Sequence, residues 1–179
     1  IDEYRQQGRL EVLDLPYRED DIPKIREIAA VCRAAQNFVV LGIGGSALGA
    51  RAIYDACLPP LHNLLADDAR SAPRLFVAEN VDPESLDALL RIAPPSETVY
   101  NVVSKSGSTI ETIAQLLVVW ERLRRDLGER ARERIVVTTD PERGFLRNLA
   151  REKGLRALSV PQAVGGRFSV LTAVGLLPS

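Results

Sequence analysis

The sequence has few of the residues that mark metal centres, disulfide frameworks or membrane segments. Its 179 residues include two cysteines, one histidine and no methionine. No apolar run approaches the ~20 residues of a transmembrane helix. Lysine and arginine (23) nearly balance aspartate and glutamate (24), giving a formal net charge of -1. Because no basic field is available to hold a polyanion, we predict no nucleic-acid partner. The scarcity of cysteine and histidine predicts no bound metal, and the short apolar runs predict no membrane span.

Apolar residues (46%) and charged residues (26%) occur in the proportions of an ordinary globular domain. A chain of this length buries roughly 70% of its unfolded surface, so it needs neither a disulfide nor a metal to fold. Cys32 and Cys57 lie in apolar, helix-like segments, and we interpret both as buried thiols of a reducing compartment, the cytoplasm. Since the chain opens on Ile1 and closes on Ser179 without a methionine, we expect a piece of a longer protein.

Strand-like and helix-like patterns alternate along the chain. Residues 1–20 are expected to form an arm or loop, and an amphipathic helix is predicted to follow from Asp21. Five short apolar runs are typical of strands buried on both faces, namely Phe38–Ile43, Leu75–Ala78, Val99–Val103, Ile135–Thr138 and Leu155–Val160. Helical segments near 47–58, 83–93, 109–125 and 144–153 separate them, and we expect Trp120 and the run Leu116–Val119 in the core.

This alternation predicts an α/β three-layer sandwich with a five-stranded parallel sheet in the flavodoxin-like order 2-1-3-4-5. The predicted boundaries are 1–37 for an N-terminal arm and helix and 38–179 for the α/β domain. In such sheets ligands bind at the carboxyl ends of the strands, where the strand order reverses. Three strand-to-helix turns are therefore the candidate sites.

The first turn, residues 42–47, reads Gly42-Ile43-Gly44-Gly45-Ser46-Ala47. Glycines let a ligand approach the backbone, and the following helix N-terminus favours an anion such as phosphate. A tight turn that merely needs glycine is the structural alternative. The spacing also matches a dinucleotide fingerprint, but that motif expects an acidic residue about 20 positions on. The second strand ends later, at Glu79, and Asp67 and Asp68 lie in a loop-like stretch, so we disfavour a dinucleotide cofactor.

The second turn, residues 104–109, reads Ser104-Lys105-Ser106-Gly107-Ser108-Thr109 and precedes a helix. Its hydroxyls and ammonium suit the three acceptor oxygens and nearly two negative charges of a phosphate monoester. Ser108 with Glu111 also matches a capping box, so we expect Ser108 to cap the helix. In the predicted strand order the first and second turns flank one crevice, where one phosphate is held from both sides.

The third turn, residues 163–169, carries Gly165-Gly166-Arg167. Its arginine can bind a carboxylate, a phosphate or a developing oxyanion, and a structural ion pair is the alternative. The lone His62 lies among Pro59, Pro60 and Leu61 and is interpreted as a loop residue rather than a catalyst.

Together the motifs of the three turns closely resemble the bacterial-type glucose-6-phosphate isomerase family, in the family's order and over residues 38–179. The resemblance implies a sugar-isomerase (SIS) domain in which Gly166 binds substrate, Arg167 lies beside the reacting carbons and no cofactor is needed. It implies a phosphate site made of Gly45, Ser46, Ser104, Lys105, Ser106 and Thr109. It also implies a homodimer, and a second SIS domain that supplies a glutamate base, a ring-opening histidine and a lysine.

The leading hypothesis is therefore an aldose-ketose isomerase acting through an enediolate, with its base outside this chain. Glu111 is the only carboxylate close to the second turn, and the capping box explains it more simply. The competing hypothesis is a phosphosugar-sensing regulatory module without catalysis. The Gly165-Gly166-Arg167 motif favours the enzyme, because a sensor needs phosphate affinity but no enediolate stabiliser.

Overall fold

A five-stranded parallel sheet forms the centre of the computed structural model, which describes residues 3, 4, 7 and 10–179. The strands are β1 (Asn37–Leu41), β2 (Arg74–Ala78), β3 (Thr98–Ser104), β4 (Ile135–Thr139) and β5 (Arg156–Ser159). Their order is β2-β1-β3-β4-β5, which confirms the predicted topology. Leu41 is in register with Ala78 on one side and Val102 on the other. The strand order therefore reverses between β1 and β3, where the first two turns begin.

Helices cover both faces of this sheet, and the four that separate the strands agree with the predicted segments to within two residues at either end. The helices are α1 (Ile22–Arg33), α2 (Leu48–Cys57), α3 (Pro83–Ile92), α4 (Ile110–Leu127), α5 (Phe145–Lys153) and α6 (Ala173–Leu176). Asp82 caps α3 by accepting hydrogen bonds from the N–H groups of Glu84 and Ser85. None of the helices in the described part of the chain is long and apolar enough to cross a membrane.

Two apolar cores result because alternate residues of each strand point to opposite faces. On one face α1, α2 and α6 pack on side chains such as Phe38 and Val40. On the other, α3, α4 and α5 pack on Val39 and Leu41. The sheet-facing side of α4 buries Leu116, Val119 and Leu123 in this second core. These layers confirm the predicted three-layer sandwich.

The N-terminal arm contains two short 3-10 turns, Glu11–Leu13 and Leu15–Tyr17. Leu15 is buried, which anchors this segment. The predicted arm extends over residues 1, 2, 5, 6, 8 and 9, which lie outside the described residues. Helix α1, which follows the arm, contributes Ile25, Ile28 and Cys32 to one of the two cores.

The prediction that the whole Leu116–Val119 run is core is wrong for two of its members. Leu117 and Val118 are 57% and 51% exposed, whereas Leu116 and Val119 are buried and Trp120 is partly buried. At 3.6 residues per turn, four consecutive side chains span the helix circumference. Only those at the sheet-facing positions can be buried.

One further expectation also needs correction. Cys57 is exposed: although it lies three residues from the buried Tyr54, it is the last residue of α2. Cys32 is buried as predicted, and burial raises the pKa of its thiol to about 11. His62 lies in a 3-10 turn but is buried, with Nε2 3.0 Å from Ala72 O and its ring edge-on to Tyr54. It is thus a structural residue, remote from the three turns.

Candidate functional site

The first and second turns lie side by side at the carboxyl ends of β1 and β3. Paired strands are about 4.8 Å apart, and the pairing of Leu41 with Val102 sets the two turns next to each other. The first turn closes as a 3-10 turn, Gly44–Ser46, before α2 begins. The second turn leads from Ser104 into α4 at Ile110. Both turns therefore present helix-start amides and hydroxyls at the switch point of the sheet.

The hydroxyls of the second turn form one cluster. Ser104 Oγ lies 2.8 Å from Thr109 Oγ1 and 3.4 Å from Ser106 Oγ. Ser104 is buried at the end of its strand, while Ser106 is exposed and Thr109 is half-buried. Ser106 Oγ also accepts a hydrogen bond from the N–H of Ser108 at 3.3 Å. The cluster can turn its hydroxyl protons outward toward an anion.

The last residue of β4 and the residue after it bind the backbone of the second turn. Thr139 Oγ1 donates to Ser104 O at 2.7 Å, and the N–H of Asp140 donates to Lys105 O at 3.1 Å. The Asp140 carboxylate accepts hydrogen bonds from the N–H groups of Glu142 and Arg143, which lower its pKa. This second layer fixes the backbone that carries the candidate phosphate ligands.

The third turn is in direct contact with the first. A Cβ atom placed on Gly45 would lie 2.3 Å from Gly166 O and 2.9 Å from Arg167 N. Only glycine permits this approach, since a side-chain carbon would overlap the backbone of the third turn. Ser169 Oγ lies 3.4 Å from Gly45 O and strengthens the same junction. The predicted substrate residues Gly166 and Arg167 therefore adjoin the predicted phosphate residues Gly45 and Ser46.

The two cations of these turns have no acidic partner within the described residues. Lys105 Nζ donates to Gln162 O at 2.7 Å, which ties the second turn to the segment leading into the third. Arg167 is exposed and forms no ion pair with residues 3, 4, 7 or 10–179. The ion-pair alternative for Arg167 therefore gains no support. Two uncompensated cations beside a hydroxyl cluster suit an anionic ligand.

The expected capping role of Ser108 is wrong. Helix α4 begins at Ile110 with Thr109 in the N-cap position, one residue later than the capping box requires. Ser108 Oγ lies 3.5 Å from both Ser106 O and Ser106 Oγ. Glu111 is exposed in the first turn of α4. A helix start displaced by one residue exchanges the roles of neighbouring hydroxyls, a difference that the motif alone does not resolve.

Sequence reasoning assigned no role to two buried hydroxyls behind the third turn. Ser169 Oγ donates to Gly166 O at 2.7 Å, and Thr172 Oγ1 donates to Ser169 O at 2.7 Å. Both residues lie among apolar neighbours in the sequence, where a hydroxyl needs a partner once buried. The need of a buried hydroxyl for a hydrogen-bond partner was therefore the signal in the sequence that could have identified these two residues. As for metals, the described residues contain no group of three or more His, Cys, Asp or Glu side chains suited to hold one.

The fold and the three joined turns define a sugar-isomerase (SIS) type of α/β domain. More closely, the chain belongs to the phosphoglucose isomerase family, whose model matches residues 27–179. It is 46% identical over 179 residues to the glucose-6-phosphate isomerase of Carboxydothermus hydrogenoformans, covering 99% of this chain and 39% of that protein. It is 48% identical over 168 residues to that of Rubrobacter xylanophilus, covering 92% and 38%.

A solved structure shares this architecture over almost the whole chain. The hypothetical protein TT0462 from Thermus thermophilus superposes with a TM-score of 0.83 at 41% identity, covering 96% of this chain and 39% of that one. The Vibrio vulnificus NanR protein complexed with ManNAc-6P, at 17% identity and a TM-score of 0.53, covers 88% and 50% and shares the fold alone. The chain spans about two fifths of the length of the curated relatives given above.

Proposed function

We propose that this chain provides the phosphate site and an essential arginine of a glucose-6-phosphate isomerase. The observation that carries the proposal is the contact of Gly45 with Gly166 and Arg167. It joins an anion-binding turn to an unpaired guanidinium at the switch point of the sheet. Membership of the phosphoglucose isomerase family supports the same reaction.

The reaction interconverts glucose 6-phosphate and fructose 6-phosphate. A base removes the proton from C2 of the open-chain aldose. The electron pair of that bond forms the C1–C2 double bond while the carbonyl pair moves to O1, giving an enediolate. The C2 hydroxyl proton passes to O1, the abstracted proton returns at C1, and C2 becomes the ketone. The remote phosphate serves as a handle whose binding energy positions the reacting carbons. Ser46, Ser104, Ser106 and Thr109, together with Gly45 and Lys105, are the proposed phosphate ligands.

Arg167 supplies charge where negative charge develops. Its guanidinium is permanently protonated and offers a planar set of donors to the enediolate oxygens. It stays free of acidic partners in the described part of the chain, so no ion pair has to break before substrate binds. Gly166 is the proposed backbone contact to substrate. Glu111 lies on the α4 side of the second turn, and we do not assign it as the base.

The remaining machinery is proposed to lie in a second SIS domain of the same protein. Its glutamate, histidine and lysine would supply the base, the ring-opening group and a further cation, and the protein would act as a cytoplasmic homodimer without a cofactor. Residues 38–179 would form the first SIS domain, preceded by the arm and helix of residues 1–37. Two free cysteines are compatible with a reducing compartment.

Isotope exchange tests this proposal on the complete protein. In deuterium oxide, turnover of fructose 6-phosphate should place solvent deuterium at C2 of the glucose 6-phosphate formed, because the transferred proton exchanges on the base. NMR spectroscopy of the product measures the incorporation. A protein that binds fructose 6-phosphate without converting it would contradict the proposal and favour the sensor hypothesis.

The isolated segment 1–179 provides a second test. It should bind inorganic phosphate or glucose 6-phosphate weakly and show no turnover, because the base lies elsewhere. Measurable turnover would contradict that placement and make Glu111 the first residue to mutate.

A further inference from the structure

Two buried hydroxyls form a chain of hydrogen bonds beneath the third turn. Ser169 is 1% exposed and donates from Oγ to Gly166 O at 2.7 Å. Thr172 is 4% exposed and donates from Oγ1 to Ser169 O, also at 2.7 Å. The N–H of Val174 in turn donates to Thr172 Oγ1 at 3.3 Å. The chain therefore runs from the start of α6 to the residue immediately before Arg167.

Two contacts hold the Gly166 carbonyl. Gly45 packs against it so closely that even a single added carbon would come within 2.3 Å of Gly166 O. The Ser169 hydroxyl lies at the same junction, 2.7 Å from Gly166 O and 3.4 Å from Gly45 O. The peptide that joins Gly166 to Arg167 can therefore neither move toward the first turn nor rotate away from it without losing a hydrogen bond. Its orientation sets the direction in which the Arg167 side chain leaves the backbone.

Among the described residues, no hydrogen bond or ion pair orients the Arg167 side chain, which is exposed. A long side chain of this kind is directed only by its backbone until substrate binds. Displacing a charged group by about 1 Å can cost on the order of 10²-fold in rate. A fixed backbone beneath Arg167 thus has a direct kinetic consequence.

We infer that Ser169 is a positioning residue for Arg167, with Thr172 as its support. The inference rests on the proposed function, because it assigns Ser169 a part in the step that Arg167 stabilises. Ser169 is buried beneath the backbone of the third turn, and we assign it no direct contact with substrate or phosphate. Loss of the Ser169 hydroxyl should therefore lower kcat for isomerisation, while binding of the substrate phosphate, and hence KM, should stay nearly unchanged.

Thr98 offers a matched control at the opposite end of the sheet. It is fully buried and donates from Oγ1 to Pro94 O at 2.7 Å, at the amino end of β3. Thr98→Val removes a buried hydroxyl-to-carbonyl bond of the same length as Ser169→Ala does, together with a 3.3 Å bond that Thr98 Oγ1 accepts from Asn37 Nδ2. Both changes should lower the Tm of the complete protein, whereas only Ser169→Ala should lower kcat.

The deciding experiment is a double-mutant cycle on the complete protein with fructose 6-phosphate as substrate. Ser169→Ala should lower kcat about tenfold and change KM less than about twofold. In an Arg167→Ala background the same change should have no further effect on kcat, because the group it positions is absent. Equal fold losses in both backgrounds, or no loss in either, would overturn the positioning role. If Ser169→Ala does not fold, Ser169→Cys, with its weaker S–H donor, should show a smaller loss of the same pattern.

The cycle separates this inference from the proposed function. If Arg167→Ala alone leaves kcat unchanged, the role of Arg167 fails and the inference fails with it. If Arg167→Ala lowers kcat and Ser169→Ala acts independently, the proposed function stands and only the positioning role is overturned.

Discussion

The two ends of the sheet treat charged and polar groups in opposite ways. At the amino end, Arg70 is paired with Asp67 at 2.6 Å, donates to Gln36 Oε1 at 2.8 Å, and has a side chain only 3% exposed. At the carboxyl end, Lys105 binds a backbone carbonyl, and Arg167 is exposed without an acidic partner in the described chain. At the amino end the buried arginine is thus paired, whereas at the carboxyl end both cations lack an acidic partner among the described residues. Pairing of a buried charge favours fold stability, and the proposed anion binding accounts for the unpaired cations.

Backbones also approach each other closely at the carboxyl end. Gly45 meets the third turn at a distance that excludes any side chain, and Thr139 binds the backbone of the second turn. Support beneath the site is therefore dense, while its outer surface is left unpaired. This combination holds the backbone that carries the proposed ligand groups in place before a ligand arrives, which limits the backbone entropy lost on binding.

The largest predicted difference between the two ends concerns their arginines. In the complete protein, Arg167→Ala should lower kcat on the order of 10²-fold or more and leave KM within a few-fold, because enediolate charge develops only in the transition state. Arg167→Lys should recover part of the loss. Steady-state kinetics with fructose 6-phosphate measure both effects.

Arg70→Ala is the matched control for this comparison. It should cost roughly 1–3 kcal/mol of stability through its lost hydrogen bonds, and its kcat should match the wild type below the unfolding transition. If Arg167→Ala instead lost thermal stability and kept its kcat, the two arginines would be structural equivalents and the contrast between the ends would fail.

The glycine contact gives the next largest effect. Gly45→Ala forces the first and third turns apart, so kcat should fall between roughly ten- and a hundredfold through misplacement of Arg167. Gly154→Ala, at the left-handed C-cap of α5 with φ +63° and open space around it, is the control. It should cost about 1 kcal/mol of backbone strain without loss of activity. A Gly45→Ala variant with raised KM and normal kcat would make Gly45 a phosphate contact only.

A smaller effect is expected for the hydroxyl cluster. Ser106→Ala removes one charge-assisted hydrogen bond to phosphate, worth roughly 1.5–3 kcal/mol, and should raise KM for fructose 6-phosphate about tenfold. The change in kcat should be small, since the phosphate is bound equally in ground and transition states. Ser71→Ala, in an exposed turn at the amino end, is the control. An unchanged KM in Ser106→Ala would remove Ser106 from the site.

The smallest effect concerns the pH dependence of stability. The pKa of Asp140 is lowered from 3.8 by hydrogen bonds from the backbone of Glu142 and Arg143. Its stabilising contribution is therefore fully present above pH 3.8 and is lost as the pH falls through the lowered value. Asp140→Asn should lower the Tm at pH 7 by at most about 3 °C, and the difference from wild type should vanish in stronger acid. A Tm difference that persists there would show that Asp140 acts through something other than its charge.

Much of the fold was predictable because its signals are local. Buried parallel strands require continuous apolar runs, so all five strands and their order could be predicted. Errors arose where burial depends on which helix face meets the sheet, as for Leu117 and Val118. The prediction for Cys57 was wrong for another reason, because this residue ends α2 and is exposed there although Tyr54, three residues earlier, is buried. The role of Ser108 depended on a helix start that moved by one residue.

The residues of the three turns could be predicted from the sequence, but the contacts that hold the turns together could not. Turn residues such as Ser104 and Arg167 carry chemistry in their own side chains, so their motifs identify them. The contact of Gly45 with Gly166 joins residues more than a hundred positions apart, and nothing local encodes it. Ser169 contributes through a carbonyl at the same junction, so only the folded arrangement assigns it a role.

The most direct test of the joined site is a crystal structure of the complete protein with fructose 6-phosphate. The phosphate oxygens should lie about 2.7–3.0 Å from the hydroxyls of Ser104, Ser106 and Thr109 and from Lys105 Nζ. The Arg167 guanidinium should lie at the C1–C2 end of the sugar, with Gly166 still packed on Gly45. A phosphate bound away from the second turn, or Arg167 bound to the phosphate rather than to the reacting end, would contradict the division of roles proposed for the three turns.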